Sequence, residues 1–416
     1  MDTPIRLGLA ANRYQFWLLV LVNAFVGAMA GLERSILPGF GVEIFHISAQ
    51  SALLSFIIAF GIAKAIANYF VSRLNTRFTK KTILITGWLF ALPVPFLLMY
   101  APTWYWVLLA NILLGINQGL AWSATILMKI DLVGPQKRGL AMGINEFAGY
   151  LAVGLASWLA GGLAAQYGYA WYPFVPGVFF AWAGLLLTVF LVKDTASHVQ
   201  LEAGNSSLPI FKNTWKQTSG QHRNIGTVTL NGIVNNMNDA VVWGIVPVLL
   251  VQKGLTVLET GVVVSVYPIV WGVLQLFTGS MGDHYCKKQV ITIGMLLQAA
   301  AIAIMALAGN FIFLLFAAII LGAGTALVYP NFITVIAENT HPSQRAATIS
   351  IFRFWRDNGY VVGALLAGVL ADTIGMEAAI LLIAALTAGA GLLAHFRMCC
   401  TRKKWYPSED CVIPAL

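Results

Sequence analysis

Charge is what this sequence has least of. Asp, Glu, Lys and Arg make up 10% of its 416 residues, where a water-soluble globule carries about 25%, so a soluble fold is excluded. The chain also lacks a Walker-type phosphate loop, a Cys/His cluster at metal-ligand spacing, and a Ser/His/Asp set with a soluble body to hold it. Neither an ATP-driven pump nor an enzyme is expected, and neither a metal nor a cofactor. The six histidines, His46, His198, His222, His284, His341 and His395, fall in loops or at the ends of apolar runs. Cysteine is sparse as well. Cys286, Cys399, Cys400 and Cys411 all map to the expected cytoplasmic face, whose reducing chemistry argues against disulfides. Cys399 and Cys400 adjoin a helix end and are candidates for acylation, against the plainer reading of two unmodified thiols.

What the chain does have is apolar length. Hydrophobic residues make up 59% and the mean hydropathy is +0.78. Runs long enough to cross roughly 30 Å of hydrocarbon lie near 14–33, 51–72, 82–100, 103–128, 139–165, 172–192, 227–251, 259–280, 289–308, 310–336, 346–370 and 378–396. Arg13 leads into the first run with no small-residue cleavage pattern, so that run is expected to remain as a helix. With both termini in the cytoplasm, 20 of the 25 Lys and Arg fall on inner segments, Arg34 and Lys253 on outer loops, and Lys64, Arg353 and Arg356 inside spans. That bias sets the orientation and explains the net charge of +9 with no need for nucleic acid. The all-α expectation divides into a six-helix bundle over 1–192, a polar cytoplasmic linker over 193–226, a second bundle over 227–397 and a tail over 398–416 without fixed structure.

The two halves repeat each other at an offset of 207 residues. Ser72 to Lys81 answers Gly279 to Lys288; Gly115 answers Gly322, Trp122 Tyr329, Asp131 Glu338, Pro135 Pro342, Arg138 Arg345 and Gly168 Gly375. Twelve spans, a central loop and these paired loops resemble the major facilitator superfamily, whose loop signature is Gly-x-x-x-Asp-Arg-x-Gly-Arg-Arg. The second copy keeps Gly279, Asp283, Lys287 and Lys288 and departs at His284 and Cys286. The first keeps Arg77, Lys80 and Lys81 and departs at Ser72, Thr76 and Thr79. The resemblance implies two pseudo-symmetric bundles that rock about a central site, a secondary transporter of a bacterial inner membrane driven by an ion or solute gradient. The fifth span, Gly149-Tyr150-Leu151-Ala152-Val153-Gly154, lacks the Gly-Pro element of the family's drug/proton antiporters, which disfavours that kind of efflux. The sugar-porter motif and an Arg at the place of Asn111 are missing too. Asn117 to Trp122 and Trp355-Arg356-Asp357-x-Gly359-Tyr360 resemble a bacterial branch, with magnetosome permeases as distant relatives.

Away from the ends of the runs, charge at membrane depth falls on Lys64, Glu146, Asp239, Arg353, Arg356 and Asp357. At about 1.5 Å per residue, Glu146 and Arg353 lie about 10 Å in from the cytoplasmic end, Lys64 about 12 Å, Arg356 and Asp357 about 16 Å, and Asp239 about 20 Å. Ionisable groups at such depth mark a pathway unless they only satisfy one another. Arg353 and Asp357, four apart, can pair on one helix face. Arg356 points about 100° away and is either the receptor for an anionic group or the partner of Glu146 across the interface. Asn231, Asn235, Asn238 and Asp239 make a polar stripe with Asn236 beside it, read as cavity lining or as helix glue. Trp122, Tyr329, Trp355, Trp243, Trp271 and Tyr267 supply candidate aromatic walls. At the cytoplasmic mouth, Asp131 with Arg138 and Glu338 with Arg345 repeat one spacing. With Arg77, Lys80, Asp283, Lys287 and Lys288 they form an expected latch.

The expectation from these residues is a monomeric transporter in the lipid bilayer that moves a small polar, anionic solute with protons. The rivals are a sensor that kept the fold without translocation, and an efflux or flippase-type permease for lipid-like substrates.

Overall fold

The computed structural model describes residues 7–74, 77–133, 138–198 and 210–400. The expected tail from 401 onward lies outside them. Among these residues are twelve long helical regions, in chain order α1 (Arg13–Arg34), α2 (Ser55–Leu74), α3 (Lys80–Met99), α4 (Trp104–Val133), α5 (Arg138–Tyr167), α6 (Val175–Phe190), α7 (Arg223–Gln252), α8 (Val257–His284), α9 (Lys287–Leu307), α10 (Phe311–Glu338), α11 (Pro342–Ile374) and α12 (Met376–Arg397). Eleven of these regions are long and apolar enough to cross a membrane. The twelfth, α11, has 33 residues and falls short on apolarity because Arg353, Arg356 and Asp357 interrupt it.

Local sequence sets the ends. Thr256 and Glu259 form a reciprocal capping box at α8, which satisfies two amide donors that a helix start leaves open. Pro342 stands first in α11, where a missing N–H costs nothing. Inside α4, Gln118–Trp122 form one π turn. There the Asn117 and Gln118 amides donate to Gly87 O and Val26 O on neighbouring helices. Such a turn carries one extra residue and rotates the side chains at its far end, here Trp122.

At α7, the cap is His222, whose Nδ1 accepts from the Ile225 N–H. Only a neutral imidazole can accept this bond, and burial holds the His222 pKa below its ordinary 6.5. A group with a lowered folded pKa loses its contribution as pH falls from the unfolded value toward the folded one. Thermal stability is therefore expected to drop below about pH 6.5, and His222→Asn, which caps without titrating, should flatten that part of the curve.

The two halves meet along two seams, α5 against α8 and α2 against α11, the broadest contacts between them. The repeat exchanges these pairs, as a two-fold axis along the membrane normal requires. On the α5–α8 seam the backbones nearly touch. A Cβ on Gly272 would lie 2.8 Å from the Leu151 nitrogen, and one on Gly154 2.9 Å from the Ser265 oxygen. Only glycine permits that approach.

Three expectations are corrected. Arg34, placed on an outer loop, is the last residue of α1 and 2% exposed, because Leu37–Glu43 carries the chain on as helix. Lys129, assigned to an inner segment, is buried in α4 and donates to Leu19 O at 3.1 Å. Cysteine is paired: Cys286 and Cys400 form a disulfide with a Cα–Cα distance of 5.6 Å. After α12 the chain turns back, and the Cys399 N–H donates to Asn224 Oδ1, which sets Cys400 beside the start of α9. Compartment chemistry alone could not reveal that proximity, and both Cys399 and Cys400 are buried.

Within the linker, residues 199–209 lie outside the described ones, and the part after them is docked. Phe211 exchanges two backbone bonds with the Gln344 side chain. Trp215 packs on Tyr69 of α2 and on Phe354 and Trp355 of α11, so it spans the α2–α11 seam on the linker face.

Candidate functional site

Asp357 is the hub of the centre. Lys64 of α2 lies 3.6 Å from its Oδ1 and Arg356 3.8 Å. Asn68 donates to Oδ2, and Asn236 of α7 donates to Oδ1 at 3.2 Å. A chain of polar contacts continues from Asn68 to Ser123 of α4 and from Ser123 to Arg353 of α11. Lys64, Asn68 and Ser123 come from the first half; Asn236, Arg353 and Asp357 come from the second. The network thus ties the halves together at mid-depth.

One helical turn further from the linker face, Asp239 accepts from the Tyr267 and Tyr360 hydroxyls, the latter at 3.3 Å. Tyr360 also stacks on Trp243 at 6.2 Å. Arg356 lies over the Tyr329 ring at 4.2 Å, and Tyr150 stacks on Trp271 across the α5–α8 seam at 3.4 Å. These groups are almost fully buried: Asp239 0%, Arg356 2% and Asp357 1% exposed. From the linker side, a void of about 30 Å³ reaches Ser123, Tyr329 and Arg353, room for one or two waters.

Glu146 belongs to a second polar group inside the first half. Trp122 Nε1 and Asn145 Nδ2 both donate to its Oε1, at 3.0 and 2.7 Å, while Oε2 has no hydrogen-bond partner among the described residues. The π turn is what points Trp122 there.

Several expected partners change. Asp357 pairs with Lys64 of the other half, and Arg353 turns to Ser123. The ion pair described for Arg356 is with Asp357, not with Glu146. Trp355, expected as a cavity wall, donates to Ser219 Oγ of the linker, because consecutive helical residues diverge and its neighbour Arg356 takes the inward face. The asparagine stripe divides the same way. Asn238 donates to Gln298 of α9 and accepts from Thr387 of α12, which makes it glue. Asn231 bonds the Thr227 carbonyl within its own helix, and both side-chain polar atoms of Asn235 are unpaired among the described residues. The inward amide is Asn236.

At the linker face, Lys80 pairs with Asp131 at 2.6 Å and Lys287 with Glu338 at 2.9 Å. They are copies of each other at the 207-residue offset. Each joins neighbouring helices inside its own half, α3 to α4 and α9 to α10, so they brace the bundles and do not bridge them. Arg77 is exposed; the side chains of Arg138, Asp283 and Arg345 lie outside the described residues.

Sequence reasoning missed Glu33, Arg34, Asn68, Ser123, Phe60 and Tyr150. Arg34 lies over Phe60 of α2 at 4.4 Å and over Trp243 of α7 at 4.6 Å, with Glu33 beside it at 1% exposure. The apolar run through Ile36, Leu37 and Phe40 was the available signal that the chain had not yet left the protein.

An internally duplicated set of twelve helices around a buried charged centre defines a multi-pass membrane protein. The chain belongs to the Major Facilitator Superfamily, which it matches over residues 15–223 and 228–406. It is 28% identical over 151 residues to the fosmidomycin resistance protein of Escherichia coli, covering 36% of this chain and 37% of that protein. It is 32% identical over 115 residues to multidrug resistance protein MdtH of Klebsiella pneumoniae, covering 28% and 29%. With the quinolone resistance protein NorA of Staphylococcus aureus it shares 26% over 128 residues, covering 31% and 33%. The matched segments thus span about a third of the length of these relatives. Among solved structures, the human organic anion transporter MFSD10 superposes with a TM-score of 0.72 at 14% identity, over 92% of this chain and 99% of that one. A POT family transporter gives 0.72 at 10% identity, over 91% and 94%. At these identities the likeness is one of fold.

Proposed function

We propose that this protein is a secondary transporter that carries a small organic anion across the cell's inner membrane by alternating access, coupled to protons, with both termini in the cytoplasm. The observation that carries the anion is Arg356. Its Nη1 faces Asp357, while Nε and Nη2 have no hydrogen-bond partner among the described residues. That edge of a guanidinium is the planar fork that matches a carboxylate or phosphate in two bonds. It is presented at the centre of the protein, at the junction of the two halves.

Coupling follows from the neighbouring carboxylate. With Asp239 ionised, the positive charge of Arg356 and Lys64 is largely balanced by Asp239 and Asp357. A proton on Asp239 leaves the centre cationic and ready for an anion; release of the proton restores the balance and expels it. Purified protein in liposomes should therefore accumulate an anion with an imposed pH gradient. Arg356→Gln should abolish accumulation, and Asp239→Asn should keep anion binding but lose its pH dependence. Accumulation that ignores the gradient in the parent protein would overturn the coupling.

The resistance proteins among the relatives make export a second reading, set against the missing Gly-Pro element in α5. Accumulation in right-side-out against inside-out vesicles decides the direction.

A further inference from the structure

A receptor built for one anionic group explains Arg356 and leaves Arg34 unexplained. Arg34 is 2% exposed, and its Nε and Nη1 have no hydrogen-bond partner among the described residues. Beside it, the Trp243 indole N–H is also unpaired. The same combination occurs at Arg356. Its Nε and Nη2 are unpaired, and so is the indole N–H of Trp271, which stands edge-on to the Tyr329 ring beneath the Arg356 guanidinium at 6.3 Å. Each pole therefore combines a guanidinium lying on an aromatic face with an indole donor.

Tyr267 lies between the poles. Its ring centroid is 6.1 Å from Trp243 and 5.7 Å from Trp271, and it is nearly parallel to the second, at 25°. Its hydroxyl is already committed to Asp239. The acidic side chains near the Arg356 pole, Asp239 and Asp357, are likewise committed to tyrosine, lysine and amide donors; Glu33, next to Arg34 in α1, accepts no hydrogen bond among the described residues and so leaves the Arg34 donors unsatisfied. Buried donors are seldom left unpaired, and here they collect at the two ends of one aromatic wall. What would satisfy them is a ligand with acceptor oxygens at both ends and a flat body between.

Resting on the anion reading of Arg356, we infer that the solute is a two-headed organic anion with an unsaturated or aromatic body. One acidic group sits at the Arg356 and Trp271 pole, the other at the Arg34 and Trp243 pole, and the body lies along Tyr267. A competing role for Arg34 is a rivet between the halves, since Phe60 belongs to the first and Trp243 to the second.

Binding of benzoate, terephthalate and adipate to the purified full chain separates these cases. Terephthalate, with carboxylates at opposite ends of one ring, should bind about tenfold tighter than benzoate and tighter than the flexible adipate. In Arg34→Gln, and independently in Trp243→Phe, which keeps the ring and loses the N–H, the terephthalate-to-benzoate ratio should collapse toward one. If terephthalate binds no tighter than benzoate, or if both variants weaken the two acids alike, the second pole is wrong. Benzoate binding that still depends on Arg356 would in that case leave the single-anion reading standing. If the parent protein binds none of the acids, the anion reading falls, and this inference with it.

Discussion

Asp357→Ala should be the most damaging single substitution in the protein. It removes the counter-ion described for Lys64 and Arg356 and the acceptor for Asn68 and Asn236, all at the junction of the halves. Breaking one side of a buried ion pair costs about 3–5 kcal/mol, because the remaining charge is left buried and uncompensated. The variant should therefore melt well below the parent and show no transport. Replacing the pair together, Lys64→Met with Asp357→Leu, removes both charges and should recover most of the stability without recovering transport. Thermal melts of the single and double variants make the comparison. If Asp357→Ala melts within a degree or two of the parent, the hub is ornamental and the network described around it has no structural weight.

The second large effect should come from locking the face opposite the linker. Gly161 near the end of α5 and Gly261 near the start of α8 meet there. A Cβ on Gly161 would lie 3.4 Å from the Gly261 Cα, and one on Gly261 3.5 Å from the Gly161 Cα. Such close approach suits a disulfide, whose Cβ atoms stand about 3.5–4.5 Å apart. In a background with the four native cysteines changed to serine, Gly161→Cys with Gly261→Cys should cross-link under oxidation. Transport should then stop and return with reductant, while ligand binding from the linker face persists. Undiminished transport by the fully cross-linked protein would show that this seam need not open, and alternating access through it would have to be abandoned.

Much of the fold was legible because a bilayer constrains length and composition severely. Each helix needs its own apolar run, and the 207-residue offset shows which loops and helices are copies. Even α11, the least apolar, declared itself as the run over 346–370. The centre was legible only in part. The rarity of charge marked Lys64, Asp239, Arg356 and Asp357, but partners across a seam depend on which helices touch, and depth counting placed Lys64 and Asp357 in different layers. The asparagines show the other limit. Asn231 and Asn238 share a face, and Asn236 lies on the other side of α7. Periodicity gives the stripe and leaves open which side of the helix is inward. Arg34 was lost for a simpler reason: an arginine at the end of an apolar run reads as the start of a loop.

The two seams are copies in topology and opposites in chemistry. Along α5–α8 the backbones close on Gly143, Gly154, Gly161, Gly261 and Gly272, and the Tyr150–Trp271 stack crosses between them. Along α2–α11 the contact is Lys64, Asn68 and Asp357, where any displacement must break and remake charged contacts. One side is a bearing and the other a detent. In the alternating access proposed above, friction is low where the halves swivel, and the stepwise resistance that holds a position is concentrated opposite, beside Arg356. A gene duplication supplies two equal hinges; under the proposed mechanism, the divergence of a few side chains lets one of them carry the motion and the other decide when it happens.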